Sequence, residues 1–114
     1  MWWLTGDQRL GARATRLLGS GKHTVLISPI VDFEAATKAA LGKWNTPSGI
    51  TPALVAGGAV ALPMTAEQAE ATRALPMHHR DPFDRLLAAQ ALVEDAVLLS
   101  ADAAFDAYGV RRRW

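Results

Sequence analysis

The chain has 114 residues, half of them hydrophobic and a fifth charged, with a formal net charge of +1. That balance is globular rather than disordered and too close to neutral for a strongly basic polyanion binder, and the absence of cysteine rules out a disulfide framework or a thiolate metal site. No apolar run approaches the ~18 residues that span a bilayer, and the start, MWWLTGDQRL, lacks a signal-peptide pattern, so the expectation is one domain over residues 1–114 in a reducing, cytoplasmic compartment without membrane contact.

Residues 10–18, LGARATRLL, place apolar side chains at 10, 14, 17 and 18 with arginines at 9, 13 and 16, which is helical spacing with a solvated face. GSGK after it is a stop. HTVLIS, 23–28, is a β-branched apolar run and predicts a buried strand. Ser28 and Pro29 fit the cap and first position of a helix, IVDFEAATKAALGKW, that ends around Gly42. Residues 45–58 are rich in turn formers, with a helical turn or two after Thr51-Pro52, and AVALPM, 59–64, can form a short strand. Thr65 and Gln68 make a capping-box pair opening the helix AEQAEATRAL, which Pro76 closes. HHRDP leads into the helix FDRLLAAQALVED, with Asp81 as cap, Pro82 first and Asp84 in the first turn. AVLLS, 96–100, is the clearest strand, followed by a helix from Asp102 to Tyr108 and a stop at Gly109.

Strands alternating with helices at this density predict a three-layer α/β/α domain with a mainly parallel sheet. GSGK precedes a strand instead of opening a helix, so it is a turn and not a phosphate loop. Ligands of such sheets lie beyond the carboxyl ends of the strands, where helices begin. Glu34, Asp84 and Asp102 meet that condition. Each also has a local explanation: Glu34 can pair with Lys38 one turn on, Asp84 can face the helix dipole, and Asp102 can cap the last helix. Jointly the local readings are weaker, because carboxylates ~4 Å apart repel by about 4 kcal/mol per pair at an effective dielectric of 20. A divalent cation offsets that repulsion, and all-oxygen ligation suits Mg²⁺ or Mn²⁺, not zinc.

The block HHRDPFDRLLAAQALVEDAVLLSADAAFDAYGV resembles the C-terminal half of PIN-domain proteins, specifically the VapC-type toxin ribonucleases. TVLISPIVDFEAATKAALGKW resembles their second strand and helix, and WWLTGDQRLGARATRLL the segment just after their first strand. The resemblance implies a parallel sheet with helices on both faces and Mg²⁺- or Mn²⁺-dependent hydrolysis of RNA phosphodiester bonds. It implies that Glu34, Asp84 and Asp102 are the catalytic, metal-holding acids, that Asp81 supports them from the helix opening, and that Ser100 orients a water. It also implies a cognate antitoxin covering the site, and a homodimer. Arg80, Arg85 and Lys38 near the acids, with Arg111 in the tail YGVRRRW, are candidates for RNA phosphate contact. For that tail a solvated edge strand or frayed end is the competing reading. His78 and His79 are expected in a loop, and Trp2 and Trp3 on a helix-packing or dimer surface rather than a base-stacking one.

The family's first acid lies in an N-terminal strand ahead of the tryptophan pair. On this alignment the chain lacks that strand and its aspartate, Asp7 falls in the loop beyond, and the domain is incomplete at its N-terminus. Two readings stay open: a start codon placed downstream of the true one in an active nuclease, or a catalytically dead PIN-like remnant serving only as an antitoxin-binding or dimerisation module.

Overall fold

In this computed structural model the described residues, 2–5, 16, 20–43, 45–77 and 81–113, build a five-stranded sheet with its helices. The strands are β1 (Trp2–Thr5), β2 (Thr24–Ile27), β3 (Val60–Ala61), β4 (Val97–Leu99) and β5 (Arg112–Arg113). They lie in the order β3-β2-β1-β4-β5, and every neighbouring pair is parallel. The described helices are α1 (Pro29–Ala40), α2 (Ile50–Ala56), α3 (Ala66–Ala71), which tightens into a 3₁₀ turn at Thr72–Ala74, and α4 (Pro82–Val93). A 3₁₀ segment, Ala103–Tyr108, follows β4.

Residues 25–27 of β2 and all three residues of β4 are buried. Strands buried on both faces read as continuous apolar runs, the mark of a parallel sheet covered by helices on each side. The three-layer α/β/α expectation therefore holds. One part of it does not. The strand expected to be missing is present as β1 and forms the centre of the sheet, pairing Trp2 to Thr24 through Thr5 to Ile27 on one side and Trp3 to Val97 through Thr5 to Leu99 on the other. Tryptophan, leucine and threonine are all competent strand formers, and two flanking partners fix the short segment. WWLT, which by resemblance matches the segment after the family's first strand, is the central strand itself. The remnant reading rested on the absent first aspartate, and β1, with the sequence WWLT, restores the strand without supplying that acid.

The elements expected after residue 20 appear with shifted ends. The helix expected over residues 10–18 falls outside the described residues except at Arg16, which is helical. The segment after Asp102 is 3₁₀ rather than α: Asp102 Oδ1 accepts from the Ala104 amide at 2.9 Å and Gly109, at φ 78°, stops the chain after six residues. A run that short suits the tighter helix. The tail forms β5 at the sheet edge, as one of its two readings held.

The core gathers Val25, Ile27, Val31, Leu87, Leu98 and Phe105, among others, with Ala88, Ala89 and Ala91 bringing α4 close. Two fully buried amides tie α3 to α4. Gln68 Oε1 accepts from the Thr65 amide, completing the capping box, and also from Gln90 Nε2 at 3.0 Å, while Gln68 Nε2 donates to Glu94 Oε1 at 2.9 Å. No described helix is long and apolar enough to cross a membrane.

Candidate metal centre

The chain leaves β1 toward β2 and β3 on one side, then returns to β4 and β5 on the other. The reversal of strand order at β1 opens a crevice at the carboxyl ends of the strands. α1 starts two residues after β2 ends, so its N-terminus lies at that edge. α4 precedes β4 and runs back against it, so its N-terminus lies there too. Both starts are strongly specified. Ser28 Oγ accepts from the Ile30 amide at 3.2 Å ahead of Pro29, and Asp81 Oδ1 accepts from the Phe83 and Asp84 amides at 2.9 and 3.3 Å ahead of Pro82. A second carboxylate, Asp32, accepts from Thr51 N and Oγ1, both at 3.0 Å, and fixes α2 against α1.

At this edge Glu34, Asp81 and Asp84 come together, each with a carboxylate oxygen within 4.8 Å of the others. Asp81 is exposed, and Glu34 and Asp84 are half-buried. Donors on one Mg²⁺ or Mn²⁺ lie at most about 4.2 Å apart, twice a bond of ~2.1 Å, so small side-chain rotations close the set on one ion. Three hard oxygens suit such a cation better than zinc or copper, which favour nitrogen and sulfur ligands. Lys38 Nζ stands 3.3 Å from Glu34 Oε2 and supplies the local positive charge.

Asp102 stands outside that group. It is exposed at the carboxyl end of β4, where its amide donates to Ser100 Oγ at 3.1 Å and its Oδ1 takes the cap of the 3₁₀ segment. Ser100 is buried and shapes this turn rather than lining an open cleft. Beside it, Arg112 donates to both oxygens of Asp106, at 2.9 and 3.1 Å, and to the Ser100 carbonyl at 3.1 Å. The guanidinium holds the Asp106 carboxyl below its usual range. Reciprocally, the hydrogen bond to Asp106, reinforced by the charges of Asp106 and Asp102, raises Arg112 above its own.

Three of the four expected phosphate contacts are among the described residues, and they separate. Lys38 is at the acids. Arg85 donates to the carbonyls of Pro76 at 2.7 Å and Thr72 at 2.8 Å, closing the end of the 3₁₀ turn after α3, a structural role for a cation at a helix C-terminus. Arg111 is a correction. It donates to Asp95 O and Oδ1, both at 2.9 Å, just ahead of β4 and β5 and therefore at the amino ends of the strands, the edge opposite the acids. Arg80, His78, His79 and Asp7 lie outside the described residues, as do the side chains of Trp2 and Trp3. Sequence reading placed Asp81 in support and overlooked the contact of Phe33 with Phe83, whose ring centroids are 5.4 Å apart. The signal for that contact lies in the sequence, where each aromatic immediately precedes an acid of the cluster.

The family profile described as PIN domain matches residues 1–110. No curated protein matches the chain. Among solved structures, VapBC2 from Rickettsia felis, bound to a DNA fragment from its promoter, is similar with a TM-score of 0.73 at 16% identity, covering 100% of this chain and 99% of that one. A domain of a functionally unknown protein from Methanocaldococcus jannaschii is similar at 0.60 and 16% identity, covering 99% and 89%. VapBC-1 from nontypeable Haemophilus influenzae is similar at 0.60 and 14% identity, covering 99% and 97%. At such identities the likeness is one of fold.

Proposed function

The chain belongs to the PIN-domain family, and on that premise we propose that it is a VapC-type endoribonuclease, hydrolysing RNA phosphodiester bonds with Mg²⁺ or Mn²⁺ as the toxin of a toxin–antitoxin pair. The observation that carries the reading is the meeting of Glu34, one turn into α1, with Asp81 and Asp84 at the start of α4. Glu34 and Asp84 hold the ion, joined by Asp81, which uses Oδ1 for both capping bonds and has a second oxygen to offer. Bound there, a divalent ion would supply Lewis acidity, acidifying an attacking water and neutralising charge on the phosphate. The N-termini of α1 and α4 present their positive dipole ends to the same anion. Lys38 adds a cation beside it. Asp102 flanks the site from β4, and Asp7 follows the end of the central strand by two residues. The partner in this reading is an antitoxin protein, the assembly a homodimer and the compartment the cytoplasm. Two of the similar structures are VapBC proteins, which supports the pairing.

The test is cleavage of single-stranded RNA by the full chain in Mg²⁺ or Mn²⁺. Activity is expected to vanish in EDTA and in Asp84→Asn and Glu34→Gln, and to fall in Asp102→Asn and Asp7→Asn. Cleavage that persists in EDTA or in Asp84→Asn overturns the assignment.

A further inference from the structure

Phe33 immediately precedes Glu34 on α1, and Phe83 immediately precedes Asp84 on α4. Their rings meet at a centroid distance of 5.4 Å with planes inclined by 60°. The two helices therefore face each other through adjacent rungs, one of carboxylates and one of aromatic rings. A lone exposed phenylalanine needs no explanation. This one is 61% exposed while held by a partner ring beside an acid cluster.

Among the described residues, side-chain cations give this site little hold on RNA. The net charge is +1, Lys38 is paired with Glu34, and Arg85 and Arg111 are engaged with the chain itself. The ion, the helix N-termini and Lys38 act on the phosphate, and none of them holds a base. Stacking of a base on an aromatic face supplies that hold, tolerates any base, and requires a single strand whose bases are free. Resting on the nuclease reading above, we propose that Phe33, backed by Phe83, is a stacking platform for one base of single-stranded RNA adjacent to the phosphate held at the acids. Purines offer the larger face, so the platform favours a purine at that position.

The experiment measures binding of fluorescent oligoadenylate and oligouridylate strands to the full chain in Mg²⁺, in an Asp84→Asn background to suppress cleavage. Phe33→Ala and Phe33→Leu are expected to weaken oligoadenylate about tenfold, and oligouridylate less, while Phe33→Trp retains binding. An abasic site walked along the strand reproduces the loss on the parent at one position and adds nothing on Phe33→Ala. The rise in melting temperature with Mn²⁺, measured with Asp84 intact, stays at the parent value in all three Phe33 variants, which reports folding and the metal site separately. Leucine binding as well as phenylalanine overturns the proposal, marking an apolar protein-contact patch instead. So does an abasic effect that is equal in parent and Phe33→Ala. A parent that cleaves RNA while Phe33→Ala binds undiminished refutes the platform alone. Oligomers bound through Phe33 by a parent that cleaves nothing refute the nuclease reading alone.

Discussion

Replacing Asp84 with asparagine separates a helix-opening acid from a metal-holding one by the sign of its effect on stability. Oxygens 4.8 Å apart repel by about 3.5 kcal/mol per pair at an effective dielectric of 20 and about 0.9 kcal/mol at that of water. Asp81 is exposed and Lys38 lies 3.3 Å from Glu34, so the lower figure applies, ~1 kcal/mol for each of the two pairs that Asp84 makes. Against that relief, losing a charge from the first turn costs about 0.3–1 kcal/mol of dipole interaction. In chelator the variant is therefore expected to melt level with the parent or a few degrees above it, at about 4 °C per kcal/mol for this size. With Mn²⁺ at about a hundred times its Kd, the parent gains ~2.7 kcal/mol, about 10 °C. A variant weakened about a hundredfold gains only ~0.4 kcal/mol, and the order of the two melting curves reverses. Scanning calorimetry in EDTA and in Mn²⁺ reads both. A variant that melts well below the parent in EDTA, with the same Mn²⁺ gain, would mean that Asp84 serves the helix and nothing else.

Lys38→Met removes the ammonium competing for Glu34, so Mn²⁺ binding by titration calorimetry should tighten about two- to fivefold while stability changes by less than about 0.5 kcal/mol. Gln68→Ala breaks the capping box and strips partners from Gln90 and Glu94 together, and thermal melts should drop by about 10 °C, for ~2–3 kcal/mol. For Asp106, whose carboxyl titrates below its usual range, the stabilisation is present above the unfolded aspartate pKa and is lost as pH falls through the lower folded value. Arg112→Gln should return the Asp106 titration, followed by NMR, toward the ordinary range, and the difference in stability between parent and variant should vanish at the acid end.

The helices were legible because their ends are written in residues with one job. Ser28-Pro29, Thr65 with Gln68, and Asp81-Pro82 each start a helix where the structure starts it. The strand VLL was legible because burial on both faces demands an unbroken apolar run. β1 was not, because four residues carry too little pattern to show a period, and what makes WWLT a strand is hydrogen bonding to β2 and β4, far away in the chain. Of the acids, Glu34 and Asp84 were found from their place after a strand and at a helix start. Asp102 satisfied the same rule and yet lies outside the group, since standing at the right edge fixes height and not direction.

Asp81 shows why a cap and a ligand need not be alternatives. An N-cap carboxylate accepts the first amides of its helix with one oxygen, here Oδ1 for both Phe83 and Asp84. Those bonds pin the side chain at the positive end of the dipole, and its remaining lone pairs are unused by the helix. A cation placed there meets a donor already oriented, with no rotamer freedom left to lose. The pair D-P-F-D thus sets one acid by capping and the next by helical rise, three residues along and therefore on the same face. Glu34 completes the group from α1, whose own start is fixed by Ser28 and whose first turn is fastened through Asp32 to α2. If that fastening matters, Asp32→Ala should loosen Glu34 without touching the cluster: Mn²⁺ affinity should fall several-fold, and a variant with unchanged affinity would show that α1 is held by the sheet alone.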